Sequence, residues 1–327
     1  MNKIQVKKVL IFRLGAIGDV VHTTALIRSL KAFDSKISIQ YLTTKIPSQL
    51  LEYDHDLDKI WIAENKSYWY IHNFSKKLRE EKFDICINLQ PPTIRNKIFS
   101  FLIGTRKTLN YRKDFRFHAV ENFWTTAKSI FNDLILPENL KLSIPENIKE
   151  RFLGICEGRK VIGFNMGVSS TRQGRRWPIN YWRQLAKSLI DKYNCKIILT
   201  GSSDDAAFSE QILDVSLNIE SYCGKLSILE NTALLSICDV VISGDTGPLH
   251  IATAIGVPTI GLYGAAPVSR TGPYGTQATA LYSDRKCVPC NRRKCKYSKK
   301  DDLYNLCMED LTPDMVFNSV KNILNKF

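Results

Sequence analysis

The sequence predicts an α/β protein made of two Rossmann-like, doubly wound domains that face a cleft. The chain has 327 residues, which is long for one domain and suits two. Short apolar runs typical of buried strands alternate with segments of helical periodicity, and this alternation restarts after a polar, proline-containing stretch at residues 137–158. We therefore predict an N-terminal domain at 1–150, a C-terminal domain at 151–311 and, over 312–327, a final helix that packs back on the N-terminal domain.

The first domain opens with a strand at residues 9–12, because this apolar run suits a strand that is buried on both faces. A loop with two glycines follows at 13–19, and apolar residues at helical spacing then predict a helix over 20–32. More strands are predicted at 37–42, 59–62 and 84–89, with a helix over 68–82. This strand–helix–strand order predicts a parallel sheet.

The second domain repeats the same alternation. Its predicted strands lie at 161–164, 196–200, 240–242 and 257–264. Its predicted helices lie at 180–193, 206–213, 228–237 and 251–255. Thr312 is a favoured N-cap residue and Pro313 suits the first position of a helix, so the C-terminal helix is expected to begin there.

The loop after the strand at 240–242 is the most informative stretch of the chain. Asp245, Thr246, Gly247 and His250 follow this strand and open the next helix. The first amide groups of a helix lack partners within it and the helix dipole favours negative charge, so this arrangement captures an anion. We predict that these four residues bind an anionic ligand. A helix cap formed by Asp245 alone is the alternative.

The first domain carries Gly18 and Asp19 where its first strand gives way to a helix. Ligands of open α/β sheets bind at the carboxyl ends of strands, and glycine lets a ligand approach the backbone closely. Asp19 could act there as a general base toward a hydroxyl group. The alternative is that Asp19 only caps the helix.

Two further loops follow strands of the second domain. Arg172, Arg175 and Arg176 could clamp a diphosphate, since arginine makes forked contacts with phosphate oxygens. The backbone N–H groups of the small-residue loop at 165–170 could share the phosphate, and the residues predicted to bind a donor here are Ser169, Ser170 and Thr171. Ser203 and Asp204 follow the next strand, where an acidic side chain binds ribose in nucleotide-binding folds. A solvated loop and a helix cap by Asp204 are the alternatives.

The net charge of +14 predicts anionic partners. Part of this charge lies near aromatic residues of the first domain, and the residues predicted to receive an anionic acceptor there are Arg95, Arg112, Arg116 and His118. Scattered solvated charge is the alternative. The lysines are dispersed and no nucleic-acid motif is recognisable, which argues against nucleic acid as the partner.

Two nucleotide-binding motifs are absent from the sequence, and their absence argues against two classes of enzyme. Neither G-x-G-x-x-G nor G-x-x-x-x-G-K-[ST] occurs, which argues against a nicotinamide dehydrogenase and against a P-loop phosphotransferase. No apolar run has the length of a membrane span, and the N-terminus shows no signal-peptide cleavage site. We therefore expect a cytoplasmic enzyme.

Four of the 9 cysteines cluster near the end of the chain, at Cys287, Cys290, Cys295 and Cys307. Their number suits a structural zinc or iron site, and we expect no metal in catalysis. Packed or redox-labile thiols are the alternative, because the spacing before the last cysteine differs from that of a zinc ribbon.

Five stretches together carry a family signature. They are V-L-I-F-R-L-G-A-I-G-D-V-V-H-T at 9–23, R-R-W-P at 175–178, S-G-D-T-G-P-L-H at 243–250, G-V-P-T-I-G-L-Y-G at 256–264 and C-M-E-D-L-T-P-D-M-V at 307–316. With them the chain resembles glycosyltransferase family 9, the ADP-heptose:lipopolysaccharide heptosyltransferases, over nearly its whole length.

This resemblance implies a GT-B fold with an acceptor-binding N-terminal domain and a nucleotide-sugar-binding C-terminal domain. It implies an inverting, metal-independent transfer of heptose from ADP-heptose to a phosphorylated lipopolysaccharide core acceptor at the cytoplasmic face of the inner membrane. Asp19 would deprotonate the acceptor hydroxyl, while Gly18 and the loop at 245–247 would contact the donor. Arg175 stands where the family usually has a lysine, and it would offset charge on the leaving diphosphate.

Three other functions stay open at the level of sequence. The first is a glycosyltransferase of the same family with another sugar or a protein acceptor. The second is a nucleotide-sugar epimerase of the same fold, which would isomerise the donor without an acceptor. The third is a nucleic-acid-binding protein held together by metal at the cysteine cluster, whose binding would depend steeply on salt.

Overall fold

The computed structural model describes residues 6–64, 68–298 and 300–326. The chain divides into two compact units, Met1–Ser143 and Ile144–Phe327. Each unit contains one parallel β-sheet whose strands are connected mainly through helices. The predicted α/β class with two Rossmann-like sheets is confirmed.

The sheet of the first unit has the strand order β3-β2-β1-β4-β5. Its strands are β1 (Lys8–Phe12), β2 (Ser38–Thr43), β3 (Lys59–Ile62), β4 (Ile85–Asn88) and β5 (Lys107–Asn110). The helices of this unit are α1 (Ile17–His22), α2 (Thr24–Phe33), α3 (Lys45–Leu51), α4 (Tyr68–Glu80), α5 (Ile94–Leu102) and α6 (Ala119–Lys128). β1 pairs with β2 on one side and β4 on the other, so it is the central strand of this sheet, and its residues 9–12 are buried.

The sheet of the second unit has the strand order β11-β10-β9-β6-β7-β8. Its strands are β6 (Val161–Asn165), β7 (Lys196–Thr200), β8 (Ile219–Ser221), β9 (Val240–Gly244), β10 (Thr259–Tyr263) and β11 (Ala278–Tyr282). The α-helices of this unit are α7 (Glu146–Leu153), α8 (Ile179–Tyr193), α9 (Ser203–Ser209), α10 (Ile228–Ser236), α11 (Gly247–Ala254), α12 (Val268–Thr271), α13 (Leu306–Glu309) and α14 (Pro313–Leu324). Short 3₁₀ helices lie at Ser170–Arg175 and Glu210–Val215.

In both sheets the order in which the chain adds strands reverses once. In the first unit the chain runs outward from β1 to β3 and then returns to the other side of β1 for β4 and β5. In the second unit it runs outward from β6 to β8 and then returns for β9. Such a reversal leaves a crevice at the carboxyl ends of the two flanking strands, where ligands of open α/β sheets bind. The crevice of the first unit lies at the ends of β1 and β4, and that of the second unit at the ends of β6 and β9.

Tryptophans anchor the chain next to the crevice of the second unit. Trp182 of α8 packs on Phe164 of β6, with ring centroids 4.8 Å apart. Trp177 packs edge to face on Trp182 and donates its indole N–H to the Leu311 carbonyl at 2.7 Å. Because both tryptophans are buried, the segment that ends at Arg176 is fixed at its C-terminal side.

The C-terminal helix α14 packs on α8 and reaches β9 and β10 of the second unit. Val316 and Val320 are fully buried in the core of that unit. Thr312 accepts a hydrogen bond from the Met315 N–H at 3.3 Å, so the predicted cap is confirmed. The expected return of 312–327 to the first unit stays a prediction. Among the described residues no helix is both long and apolar enough to cross a membrane.

The predicted helix over 20–32 is interrupted at Thr23, which lies between α1 and α2. The hydroxyls of Thr23 and Thr24 donate to the carbonyls of Val20 and Val21 at 2.6 and 2.8 Å. A hydroxyl that bonds back to the preceding turn competes with the helical ladder. Two such residues in succession therefore account for the break.

Candidate active site

Arg13 joins the ends of β1 and β4 at the crevice of the first unit. It follows β1 directly and is buried. Its Nη1 donates to the Leu89 carbonyl after β4 at 2.6 Å, and its Nη2 pairs with the Asp19 carboxylate. Its guanidinium also lies 5.4 Å from the centroid of the Phe123 ring. A fixed cation therefore holds Asp19 beside the strand ends.

Asp19 lies in the first turn of α1, where the helix dipole favours a carboxylate. The N-cap residue is Ala16, so the alternative in which Asp19 only caps the helix is wrong. The Asp19 side chain is 32% exposed, whereas that of its partner Arg13 is 8% exposed. One part of the carboxylate thus binds Arg13 and another part remains accessible to solvent.

Two histidine rings meet on α1 and α6. His22, one turn after Asp19, is buried, and its ring packs edge to face on that of His118 with centroids 5.4 Å apart. The His118 Nδ1 accepts the Val120 N–H at 3.2 Å, and the Glu121 carboxylate accepts the His118 N–H. His118, predicted to bind an acceptor, therefore lies next to α1 and also caps α6.

A cavity of about 790 Å³ lies at the carboxyl ends of β1 and β4. Aromatic and polar side chains line it together, among them Phe12, Arg13, Tyr70, Phe74, Gln90, Thr93, Arg95, Asn96 and Phe99. The backbone of Gly15 and Ala16 forms another part of the wall, and a Cβ added at Gly15 would meet nothing within 4 Å. Apolar walls with a few hydrogen-bonding groups are typical of a small-molecule site.

The four residues predicted to bind an acceptor lie in different surroundings. Arg95 lines the cavity, whereas Arg112, Arg116 and His118 are not among its described lining residues. The guanidinium of Arg116 donates to Asp114 at 2.6 Å and lowers the pKa of that carboxyl to about 2. Arg112 is exposed.

Asn165 joins three strands at the crevice of the second unit. It ends β6, and its Nδ2 donates to the Thr200 carbonyl at the end of β7, at 3.0 Å. Its Oδ1 accepts from the hydroxyls of Ser243 and Thr246 at 3.2 and 3.1 Å. The loop after β9 is therefore fixed to β6 and β7 through side chains.

Basic side chains converge on Asp245 in that loop. The carboxylate pairs with Nη1 of Arg175, and both Nη1 of Arg172 and Nε2 of His250 lie 4.0 Å from it. The other Arg175 nitrogen, Nη2, donates to Asn291 Oδ1 at 3.0 Å. Burial lowers the pKa of Arg175, and the Asp245 carboxylate opposes this shift. Two of the three arginines of the predicted clamp thus meet at one carboxylate.

Helix α11 begins directly at this cluster. Thr246 is its N-cap, but the Thr246 side chain bonds to Ser243 and Asn165 instead of to the helix. The alternative in which Asp245 only caps the helix is wrong, because its carboxylate binds Arg175. The positive end of α11 therefore lies beside two arginines, an arrangement that favours an anion.

Arg176, the third arginine, contacts a different carboxylate. Its guanidinium lies 4.2 Å from the centroid of the Phe208 ring and 3.8 Å from Asp205, and burial lowers its pKa. Asp205 also accepts from the Ser202 N–H and hydroxyl at 3.0 and 2.6 Å, which caps α9. Helix α9 begins at Ser203, earlier than predicted, and its capping box is formed by Ser202 and Asp205. The alternative in which Asp204 caps this helix is therefore wrong.

The other residues predicted to bind a donor lie in two short segments of the second unit. They are Ser203 and Asp204 in the first turn of α9, and Ser169, Ser170 and Thr171 around the start of the 3₁₀ helix. The hydroxyls of Ser169 and Thr171 are 3.1 Å apart, and the side chain of Ser170 lies outside the described part of the chain. Their contacts with a donor, like that of Gly18, stay predictions.

The four clustered cysteines line a second cavity, of about 340 Å³. Basic side chains line it with them, namely Arg285, Lys286, Arg292, Lys294 and Lys296. Burial and the nearby thiols of Cys287, Cys290 and Cys295 raise the pKa of Cys307 to about 11. Within the described residues no group of three or more His, Cys, Asp or Glu side chains is arranged to hold a metal ion. The predicted zinc or iron site therefore has no support in this structure.

Arg13, Asn165 and Asn291 belong to these clusters, although the sequence analysis assigns no role to any of these three side chains. Arg13 directly follows the apolar run of β1, and Asn165 ends the apolar run of β6. A polar residue at the end of a buried central strand is the signal that could have found both. Asn291 carries no comparable signal, because its partner Arg175 is 116 residues away.

The fold and the two clusters define an α/β protein with a carboxylate beside a cavity in one unit and a cationic site at a helix N-terminus in the other. The family model "Glycosyltransferase family 9 (heptosyltransferase)" matches residues 71–301. The chain therefore belongs to glycosyltransferase family 9 and is a glycosyltransferase.

Known relatives agree with this membership. The chain is 26% identical to lipooligosaccharide heptosyltransferase 2 of Campylobacter jejuni over 275 residues, covering 80% of this chain and 82% of that one. It matches the crystal structure of a family 9 glycosyltransferase from Veillonella parvula with a TM-score of 0.82 and 20% identity over 99% of both chains. It matches ADP-heptose lps heptosyltransferase II of E. coli with a TM-score of 0.80 and 20% identity, over 98% of this chain and 99% of that one. The two structures share its fold.

Proposed function

We propose that this protein transfers heptose from ADP-heptose to a lipopolysaccharide core acceptor, with inversion at the anomeric carbon and without a catalytic metal. Membership of the heptosyltransferase family supports heptose as the transferred sugar. The name of the E. coli protein of the same fold supports ADP-heptose as the donor. The observation that carries the proposal is the meeting of Arg175 and Arg172 with Asp245 at the N-terminus of α11. Such a site suits a diphosphate that leaves a sugar.

On the donor side, these two arginines and the first turn of α11 would receive the diphosphate of ADP-heptose. The bond between the anomeric carbon and the diphosphate oxygen breaks, and the bonding electrons leave with ADP. Arg175 would offset the negative charge that grows on this oxygen, which is a role that a metal ion fills in other enzymes. Asp204 would accept hydrogen bonds from the ribose hydroxyls.

On the acceptor side, Asp19 would take the proton of the acceptor hydroxyl while the hydroxyl oxygen bonds to the anomeric carbon. Attack on the face opposite the diphosphate inverts this carbon. Arg13 would orient the Asp19 carboxylate, and Arg95 would contact an acceptor phosphate from the cavity of the first unit. The other predicted acceptor residues would add positive charge around it.

The chemistry of the substrates suggests where the protein works. Both the nucleotide sugar and a phosphorylated core acceptor are anionic, and the net charge of +14 suits them. The same charge suits an anionic lipid surface. We therefore propose a cytoplasmic protein that is peripheral on the cytoplasmic face of the inner membrane, with no nucleic-acid partner.

Mass spectrometry of the acceptor after incubation with candidate donors tests this function. We expect one heptose to be added from ADP-heptose to a lipopolysaccharide core that lacks it, with release of ADP and with a metal chelator present. UDP- and GDP-sugars should not replace ADP-heptose. Isomerisation of the donor without an acceptor would indicate an epimerase instead, and the absence of product with ADP-heptose would overturn the proposal.

A further inference from the structure

Helix α5 of the first unit exposes a row of large apolar side chains. Ile94 is 79% exposed, Ile98 is 53% exposed and Phe101 is 81% exposed. Residues that are three or four positions apart lie on the same face of a helix, so these three form one stripe. We call Ile94, Ile98 and Phe101 the α5 stripe. Most exposed apolar residues of a protein occur singly, whereas a contiguous patch marks an interaction surface.

The opposite face of α5 is anchored in the first unit. Phe99 and Ser100 are buried, and the Phe99 ring packs edge to face on that of Phe12 in β1, with centroids 5.2 Å apart. Thr93 caps the helix by accepting the Asn96 N–H at 3.2 Å. Packing on one side and a cap at the start fix the orientation in which the α5 stripe points outward.

Exposed cations flank the α5 stripe. At helical spacing Lys97 lies on one side of the stripe and Arg95 on the other, and both are exposed. Arg106 and Lys107 follow the end of the helix and are exposed as well. An apolar row between positive charges matches the layered chemistry of an anionic bilayer, with acyl chains beneath a negatively charged headgroup layer.

We propose that the α5 stripe docks on an anionic lipid bilayer. Its three apolar side chains enter the boundary between headgroups and acyl chains, while Lys97 and its neighbours contact lipid phosphates. Thr93, Arg95, Asn96 and Phe99 of the same segment line the cavity of the first unit. Docking through α5 therefore brings the wall of this cavity to the lipid surface, where a lipid-linked acceptor lies. This biological meaning rests on the proposed function, whereas the docking itself does not.

Co-sedimentation with vesicles, without any sugar substrate, tests the docking. We expect the full chain to bind vesicles of phosphatidylcholine mixed with phosphatidylglycerol at least tenfold better than vesicles of phosphatidylcholine alone. The triple variant Ile94→Ser/Ile98→Ser/Phe101→Ser should lose at least tenfold of this binding, and Lys97→Gln/Lys107→Gln should weaken it. The matched control Ile135→Ser/Leu217→Ser changes side chains that are 77% and 101% exposed elsewhere, and it should bind like the unmodified chain.

Three results would overturn the docking proposal. They are unchanged vesicle binding by the triple variant, equal binding to both kinds of vesicle, and a self-association in solution that the triple variant abolishes, which would mean that the stripe binds a second copy of the chain. Transfer to a delipidated core oligosaccharide separates the two proposals. We expect the triple variant to retain this transfer, whereas failure of the unmodified chain to transfer heptose would leave the vesicle result intact and remove the proposed function.

Discussion

Each unit uses a buried arginine to hold a carboxylate at the end of a central strand. Arg13 pairs with Asp19 after β1, and Arg175 pairs with Asp245 after β9. A buried guanidinium is costly to desolvate unless its N–H groups are bonded, and the Leu89 carbonyl and the Asn291 side chain provide further acceptors. Both arginines therefore have fixed positions, which favours transition-state stabilisation because little reorganisation is needed during reaction.

We expect Arg175→Gln to lower kcat on the order of 10²–10³-fold, because it removes a positive charge beside the proposed position of the departing diphosphate. Arg175→Lys should recover part of this loss, since lysine keeps the charge but not the forked geometry. Steady-state rates of ADP release measure both effects. Arg183→Gln is the matched control, because Arg183 is 39% exposed and pairs with Asp214 away from the cluster. Equal rates for Arg175→Gln and the control would rule out this role.

The sequence predicts which carboxylates belong to the site, but it does not predict which side chains they contact. Asp19 and Asp245 stand out because each is a carboxylate where an apolar strand gives way to a helix; the structure places Asp19 in the first turn of α1 and Asp245 directly after β9. The pairing of Asp245 with Arg175 could not be assigned, because 70 positions separate them. Arg13 lies only 6 positions from Asp19, but the bond that fixes its guanidinium goes to a carbonyl 76 positions away. Local patterns report which residue types stand near a strand end, whereas pairing depends on which strands become neighbours.

At the scale of elements, burial decides which strands the sequence reveals. The central strands β1, β6 and β9 are apolar because helices cover both faces, and all three are predicted. The strands missing from the prediction are β5, β8 and β11, and each lies at the edge of its sheet. All three are partly exposed, and β5 and β8, with the sequences K-T-L-N and I-E-S, also lack an apolar run. The remaining edge strand, β3, is partly exposed as well, but its sequence K-I-W-I is apolar enough to be predicted.

A carboxylate also links the amino ends of β1 and β3 in the first unit. Glu81 accepts from the ammonium groups of Lys59, at 2.7 Å, and Lys8, and from the Gln40 amide at 3.2 Å. The bonds from Lys59 and Lys8 lower the pKa of Glu81 from 4.5 to about 2. Because the pKa is lower in the folded state, this stabilisation is fully present above about pH 4.5 and is lost as pH falls through about 2.

We therefore expect Glu81→Gln to reduce the free energy of unfolding at neutral pH by about 1–2 kcal/mol, a value reduced for solvent screening. The difference from the unmodified chain should shrink as the pH falls below about 4.5. Chemical denaturation at a series of pH values measures this difference. Glu80→Gln, at an exposed neighbouring position, should show no such trend. A difference that is independent of pH would mean that the ion pairs of Glu81 do not carry the effect.

At the scale of the whole molecule, the two units carry different chemistry. The first unit offers a carboxylate, a cavity of about 790 Å³ and the exposed α5 stripe. The second unit offers arginines at a helix N-terminus and a polar network around Asn165. The α/β class of both units follows from the alternation of strands and helices in the sequence. The cavity and the stripe do not, because they depend on which faces of α4 and α5 the packing leaves exposed.

The cationic site of the second unit predicts that ADP binds there. At a concentration of about 100 times its Kd, a ligand adds about 2.7 kcal/mol to the stability of the state that it binds. We expect ADP to slow amide hydrogen exchange most strongly in the second unit, at residues 165–176, 200–205 and 243–250. UDP at the same concentration is the control and should protect these segments much less. Strongest protection in β1 to β5 would place the nucleotide in the first unit and contradict a donor site at the N-terminus of α11.

The rate of heptose transfer by Asp19→Asn tests whether Asp19 is the general base of the reaction. Asparagine keeps the size of the side chain but cannot take the proton of the acceptor hydroxyl, so we expect kcat to fall on the order of 10²–10⁴-fold while ADP binding is retained. Asp133→Asn removes an exposed carboxylate of the same unit and should transfer heptose at the unmodified rate. Near-full transfer by Asp19→Asn would contradict the assignment of Asp19 as the base.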